Sequence, residues 1–224
     1  MYPSALVRQA LASGLDVIAI CDHNASENVP YVIRASQGQA LRVLPGMEIT
    51  SSEEAHLLAL FDNMDDLRRL QDVVYSHLPG LNDENRFGCQ AIVNEMDEVE
   101  GFNPRFLIGA TELALSELIG RIHTLGGLAV ASHIDRESFS VISQLGFIDP
   151  EVPFDALEIS RRTGLAGGRR MYPELAHYPF VTSSDAHRID DIGKGYTEIF
   201  MEKPSVRELK MAFVRQEGRR IAEN

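Results

Sequence analysis

Apolar runs that each end in a histidine or a carboxylate are the feature that most restricts how this 224-residue chain can fold. The last run, residues 179–182, leads almost directly to Asp185 and His187, which alternate and so face the same side of an extended chain. Earlier runs lead in the same way to Asp22-His23, to Glu48 and to His133. Strands that each deliver such a side chain at their carboxyl end are typical of a metal site on a β/α barrel.

The rest of the chain alternates helical and extended patterns, beginning with a helix predicted from Pro3 to Gly14. We expect parallel strands, among them residues 15–21, 41–49, 56–61 and 155–160, with 196–201 as an edge or last strand and a final helix after Ser205. Residues 79–110 break the alternation and contain a hairpin pattern around Met96-Asp97. We interpret them as an insertion near the barrel mouth, and therefore expect residues 1–224 to form a single domain.

Composition limits the partners and the compartment. The net charge is −12 and no run is rich in Lys or Arg, so we expect neither stable duplex nucleic-acid binding nor a membrane partner. A nucleotide held by metal ions stays possible, because bound cations reverse the local field. The only cysteines are Cys21 and Cys89, and the sequence shows no signal peptide and no apolar run of transmembrane length. We therefore predict a cytoplasmic protein.

Histidines and carboxylates at or beside predicted strand ends form the candidate metal site. They are Asp22, His23, Glu48, His56, His133, Asp185 and His187. Any single histidine there could simply hydrogen-bond a loop, but the coincidence of the whole set favours metal binding. The set exceeds what one tetrahedral ion needs, so two or three ions are indicated, and Zn, Mn or Fe suit these ligands. Two close ions stabilise both the attacking and the leaving oxygen in phosphoryl transfer.

Other catalytic patterns are weaker. Ser183 and Ser184 lack a Gly-x-Ser-x-Gly elbow, and the glycine-rich residues 164–168 lack the Lys-Ser/Thr pair of a phosphate loop. Cys21 lies within an apolar strand, which favours a core position over a nucleophile.

Short motifs occur in a fixed order along the chain. They are Cys21-Asp22-His23-Asn24, Pro45-Gly46-Met47-Glu48 followed by His56, Ala131-Ser132-His133, and Ser184-Asp185-Ala186-His187. This ordered set resembles the PHP (polymerase and histidinol phosphatase) family over essentially the whole chain. The resemblance implies a distorted (β/α)7 TIM-like barrel, a cluster of up to three metal ions and hydrolysis of phosphoester bonds.

The resemblance also implies roles for the ligands. His23 and His187 would hold a peripheral ion, and Glu48 would bridge two ions. His56 and His133 would complete the second ion, and Asp185 would bind the first. Asp22 would be a ligand or orient one, while Asp185 and His187 would also serve catalysis. Arg136 and Arg161 are candidate phosphate contacts, with a solvated surface role equally open.

The chain departs from the family at its start. The family opens with a strand whose His-x-His pair binds the first ion, and residues 1–21 contain no such pair. Either the natural protein is longer or the chain is a degenerate member. We therefore expect a barrel lacking its first strand, fewer ions than in the family, and an exposed edge beside residues 15–21 that a homodimer could cover. Adding an upstream His-x-His strand is expected to restore metal stoichiometry and activity, which should otherwise stay near background.

The leading interpretation is a metal-dependent phosphoesterase, a hydrolase acting on a small phosphorylated substrate such as a nucleotide or a short oligonucleotide. The alternative is a non-catalytic PHP-type domain with a structural or regulatory role, because the first His pair is absent. A third candidate is another barrel hydrolase, such as an amidohydrolase. That would require a strand-end Lys or a His-x-His start, and the sequence has neither.

Overall fold

The computed structural model describes residues 1–222 and contains the predicted alternation of helices and strands. In the first half the elements are α1 (Pro3–Ala12), β1 (Val17–Ile20), α2 (Val29–Ala35), β2 (Arg42–Thr50), β3 (His56–Leu60), α3 (Met64–Ser76), α4 (Glu84–Phe87), β4 (Ala91–Val93) and β5 (Val99–Phe102). In the second half they are α5 (Leu115–Thr124), β6 (Leu128–Ala131), α6 (Val141–Leu145), β7 (Ala156–Glu158), α7 (Gly164–Met171), β8 (Phe180–Val181), β9 (Ile199–Phe200), α8 (Val206–Phe213) and β10 (Arg220–Ile221). The glycine-rich residues 164–168 are helical and form the first part of α7.

A six-stranded sheet in the order β1-β2-β3-β6-β7-β8 is the centre of the fold. The pairs β1–β2, β6–β7 and β7–β8 are parallel, but β3 is antiparallel to both β2 and β6. Our expectation of uniformly parallel strands is therefore wrong for β3. The reason is the short turn over residues 51–55, since a parallel connection needs a crossover of a dozen or more residues.

The reversed direction of β3 decides where His56 lies. Thr50 at the end of β2 pairs with His56 at the start of β3, and the next residue, Leu57, pairs with Ala131 at the end of β6. The amino end of β3 therefore shares an edge of the sheet with the carboxyl ends of its neighbours. This explains why a histidine at the beginning of a strand can join residues that follow the ends of others.

The sheet is a curled half-barrel that the described residues do not close into a complete barrel. Its two edges are β1 and β8, so the predicted edge position of residues 15–21 is observed. Both edges line one cavity of about 1010 Å³, together with interior residues such as Leu58 and Val130. The cavity extends from this apolar interior to the residues at the carboxyl end of the sheet.

Residues 196–201 do not form an edge or last strand of the main sheet. Ile199 and Phe200 pair instead with Ile221 and Arg220 in a separate antiparallel ribbon. The partner strand follows α8, which begins at the predicted cap, where the side chain of Ser205 accepts a hydrogen bond from the amide of Glu208. The polar sequence around residues 218–222 gave no strand signal. The prediction therefore did not include β10, with which β9 pairs outside the main sheet.

The predicted insertion contains the predicted hairpin, with β4 and β5 antiparallel. It packs against the first two helices: the amide of Ser4 in α1 donates to Asp97 at 3.1 Å, the amide of Val93 donates to the side chain of Asn28 at 2.9 Å, and Arg34 in α2 pairs with Glu95 at 2.9 Å. These contacts fix the insertion against the helices that flank β1, and the side chain of Asn24 joins it to the loop that carries His23.

Close packing at Gly127 gives a test of the core. A Cβ atom there would lie 2.5 Å from Cε1 of Phe61, a ring that is 1% exposed. We expect Gly127→Ala to lower the free energy of unfolding by about 1–3 kcal/mol, because the added methyl group overpacks the core against Phe61. The matched control is Gly120→Ala in α5, where a Cβ meets nothing within 4 Å. It should stabilise the protein by about 0.5–1 kcal/mol. Chemical denaturation measures both, and equal stabilities of the two variants would contradict the packing.

Candidate metal centre

Three imidazoles surround the carboxylate of Glu48 at the carboxyl edge of the sheet. Its Oε1 lies 3.2 Å from Nδ1 of His56 and 3.5 Å from Nε2 of His133, and its Oε2 lies 3.5 Å from Nδ1 of His23. Ligand atoms of His23, Glu48 and His56 all lie within 4.8 Å of one another. Three histidines from three different segments therefore contact the carboxylate of Glu48, although His133 is outside the group whose ligand atoms all lie within 4.8 Å of one another.

The backbone around Asn24 places His23 in this group. Asn24 adopts a left-handed conformation with φ 49°, which asparagine tolerates better than most residues. Its buried side chain donates to the carbonyls of Leu107 and Gly109, both at 2.8 Å, and accepts from the amide of Thr50 at 3.1 Å. One side chain thus joins the loop after β1, the end of β2 and the insertion.

The electrostatics of the group favour a charged carboxylate. Burial by itself would raise the pKa of Glu48, but the close imidazoles of His133, His56 and His23 outweigh it and hold the pKa well below its usual range. Burial also lowers the pKa of His23, with the neighbouring His56 and His187 acting in the same direction and Glu48 opposing them. The charged form of Glu48 and the neutral form of His23 are both favoured by these shifts, and they are the forms in which a carboxylate and an imidazole bind a metal ion.

The nitrogen atoms of the group fit a metal ion. Within residues 1–222, Nδ1 of His23, of His56 and of His133 are buried and have no aligned hydrogen-bond partner. Buried polar atoms are nearly always satisfied in native proteins. Histidine nitrogens and a carboxylate together suit Zn and related divalent ions, so the residues present can hold such an ion.

Asp185 and His187 form a second group beside the first. Nδ1 of His187 lies 3.7 Å from Oδ1 of Asp185, and its ring centroid lies 6.2 Å from that of His23. The guanidinium of Arg136 donates to Oδ2 of Asp185. The predicted ligands thus lie in one region, but Asp185 is paired with an arginine and does not contact Glu48.

The remaining predicted residues, Asp22 and Arg161, lie outside the cluster around Glu48. Asp22 accepts a hydrogen bond from Asn28 at 3.3 Å, lines the cavity and contributes no atom to the cluster around Glu48. Burial raises the pKa of Asp22, with the hydrogen bond from Asn28 opposing. Arg161 donates to Asp191 at 2.9 Å. Both candidate phosphate-binding arginines, Arg136 and Arg161, are therefore paired with carboxylates, which a phosphate would have to displace.

Sequence analysis missed two residues of the site. Glu158 ends β7 with 3% of its surface exposed, and its side chain accepts from the amide of His133 at 3.0 Å. It follows the same rule of a carboxylate at the end of a buried strand, so the signal was present. Phe139 stacks on His56 with ring centroids 4.8 Å apart and 12° between planes. Nothing in the sequence around Phe139 indicates this contact.

A comparison with protein families supports the resemblance that the motifs suggested. The family model described as PHP-associated matches residues 173–216, which include Asp185 and His187. The resemblance to the PHP family that the motifs suggested is thereby confirmed.

Among individual proteins, the chain is similar in fold to the lesion-specific endonuclease EndoQ of Pyrococcus furiosus, with a TM-score of 0.75 and 14% identity. The similarity covers 99% of this chain and 53% of the endonuclease, so the chain spans about half the length of that protein. A metal-dependent phosphoesterase assigned in Bifidobacterium adolescentis matches with a TM-score of 0.56 and 18% identity, covering 96% of this chain and 90% of that one.

A sequence relative is the uncharacterised protein YqxK of Bacillus subtilis (strain 168). It is 30% identical over 112 residues, which are 46% of this chain and 28% of YqxK. The structures named above share too little sequence with this chain to establish more than the fold, and YqxK adds a relative without an assigned activity.

A second EndoQ structure corrects one of our expectations. It holds a 27-mer duplex with an abasic lesion at the active site, and it matches 96% of this chain with a TM-score of 0.64 and 14% identity. Our expectation that a chain like this one does not bind duplex nucleic acid stably is therefore wrong. It relied on the net charge of −12, but net charge averages over the whole surface and does not report the local field at one edge of the sheet.

Membrane association is tested only in part. Among the helices of residues 1–222, none combines the length and the apolar character that crossing a bilayer requires. The cytoplasmic location stays a prediction.

Proposed function

We propose that this chain is a metal-dependent hydrolase of phosphoester bonds, with phosphodiesters of nucleic acid as its substrate class. The observation that carries the proposal is the convergence of His23, His56 and His133 on the buried carboxylate of Glu48. A divalent ion bound there supplies Lewis-acid polarisation of a phosphoryl oxygen. EndoQ, which shares the fold, is an endonuclease, and this supports the choice of substrate class.

In this proposal the residues of the site have separate roles. His23, Glu48, His56 and His133 would hold the ion, and Asp185 and His187 would bind beside it and serve catalysis. His187 is exposed on its side of the group, with 67% of its side-chain surface accessible, so it can reach a substrate oxygen. Arg136 and Arg161 would exchange their carboxylate partners for phosphate oxygens, which guanidinium groups bind through paired hydrogen bonds.

The proposal extends to the architecture. Because β1 and β8 both line the same cavity, one more strand between them would complete a barrel of the (β/α)7 type. One hydrophobic cluster runs from Leu6 in α1 to Ile192, within the segment that the family model matches, which supports a single domain.

Calorimetric titration with Mn²⁺ or Zn²⁺, followed by hydrolysis assays, tests the function. The substrates are an aryl phosphate monoester, a bis-aryl phosphodiester, and oligonucleotide duplexes with and without an abasic site. We expect metal binding, and slow hydrolysis of at least one diester that a chelator abolishes, because residues 1–21 lack the His-x-His pair that is expected to complete the site.

Two results would decide against this proposal. Metal binding without hydrolysis of any substrate would support the non-catalytic alternative. Absence of metal binding by the folded chain would contradict the metal centre itself.

A further inference from the structure

Two of the predicted ligands have a strained backbone. His133 has φ 28° and Asp185 has φ 44°, a region that residues with a side chain rarely adopt. His133 follows β6 and Asp185 follows β8, so the two residues lie on either side of β7. A conformation of this kind persists only where contacts from the surrounding structure hold it in place.

The carboxylate of Glu158, at the end of β7, contacts both loops. Oε2 accepts a hydrogen bond from the amide of His133 at 3.0 Å, and Oε1 accepts one from the hydroxyl of Ser183. The same hydroxyl oxygen accepts from the amide of Asp185 at 3.3 Å. One buried side chain thus holds the amide of His133 directly and the amide of Asp185 through Ser183.

We propose that Glu158 is a positioning residue of the metal centre, which fixes the left-handed backbone of His133 and Asp185 and thereby the direction of their side chains. The inference rests on the proposed function, since it concerns the same site. Both carboxylate oxygens are used by His133 and Ser183, and Glu158 is not in the cluster around Glu48. It therefore acts through its neighbours and is not itself a ligand.

The chain offers variants that separate positioning from general stability. Glu158→Leu keeps most of the volume but removes both acceptors. Glu158→Gln keeps an acceptor for the amide of His133 and places a donor at Ser183, whose hydroxyl can turn to accept. Ser183→Ala breaks only the branch to Asp185, and Ser183→Thr retains the hydroxyl. The matched control is Glu208→Leu. Glu208 lies in α8, away from the ligands, is 5% exposed and accepts a hydrogen bond from Arg219.

The measurement is the affinity of each purified variant for Mn²⁺ by calorimetry, together with amide hydrogen exchange of the metal-free protein. We expect Glu158→Leu to weaken Mn²⁺ binding by about 10- to 100-fold, the usual effect of losing a residue that orients ligands. Glu158→Gln and Ser183→Ala should weaken it less, while Ser183→Thr and Glu208→Leu should stay near wild type. Exchange should quicken at His133 and Asp185 in Glu158→Leu, and at Asp185 alone in Ser183→Ala.

Unchanged Mn²⁺ affinity in Glu158→Leu would overturn the inference, because Glu158 would then have no effect on the ligands. An equal loss of affinity in Glu208→Leu would also overturn it, because the loss would then reflect general instability. If Glu158→Leu does not fold, the contrast between Ser183→Ala and Ser183→Thr decides in its place. If the wild-type chain binds Mn²⁺ but hydrolyses nothing, the proposed function fails while the positioning role stands. If the wild-type chain binds no metal, the metal centre fails, and unchanged exchange at His133 in Glu158→Leu would also exclude the backbone role.

Discussion

Glu48→Gln is expected to weaken divalent-metal binding by at least about 100-fold, beyond the 10- to 100-fold typical of outer residues. The imidazoles of His23, His56 and His133 all lie close to the carboxylate of Glu48. An amide of the same shape keeps the volume but removes the negative charge that attracts the ion. Calorimetric titration with Mn²⁺ and Zn²⁺ measures the loss directly, without depending on activity.

The control for this prediction is Glu54→Gln, in the exposed turn between β2 and β3. It removes the same charge from a nearby position that contributes nothing to the cluster, so its affinity should match that of wild type. Circular dichroism of both variants verifies the fold. Retention of wild-type affinity by a folded Glu48→Gln protein would show that any ion binds elsewhere, and the assignment of the centre would be given up.

Asp185→Ala is expected to lower metal-dependent phosphodiester hydrolysis by roughly 10²- to 10⁴-fold, the usual contribution of a positioned catalytic group. The structure places Asp185 between the guanidinium of Arg136 and the ring of His187. Its loss therefore removes a proposed ligand and also frees both neighbours. Because the cluster around Glu48 stays intact, binding of the first equivalent of metal should fall much less than turnover.

Asp190→Ala serves as the control, since Asp190 is exposed in the turn that follows His187 and carries the same charge. Arg136→Ala refines the interpretation: a phosphate contact predicts a raised KM with kcat largely kept, whereas a residue that only holds Asp185 predicts a lowered kcat. Full turnover in Asp185→Ala would exclude Asp185 from catalysis. This assay requires that the wild-type chain be active. An inactive wild-type chain would support the non-catalytic alternative.

The amino-acid sequence by itself determined the strand ends and which side chains stand at them. The apolar runs 43–47 and 128–131 become buried strands, as the hydrophobic effect favours, and the run 17–20 forms the edge strand β1, which is only partly buried. The side chain that follows each run must then lie at an edge of the sheet. That local argument, repeated along the chain, was enough to predict His23, Glu48 and His133 as neighbours.

Only the tertiary structure decided how the strands run and what the site residues contact. The direction of β3 depends on the turn over residues 51–55 and on pairing with β6, which lies far along the chain. The pairing of Arg136 with Asp185 and the contact of Glu158 with the amide of His133 join residues that are distant in sequence. The separate ribbon of β9 and β10 depends on a polar strand without a pattern of its own. Periodicity reports which face of an element is buried, whereas the partner of that face is chosen by the packing of the whole chain.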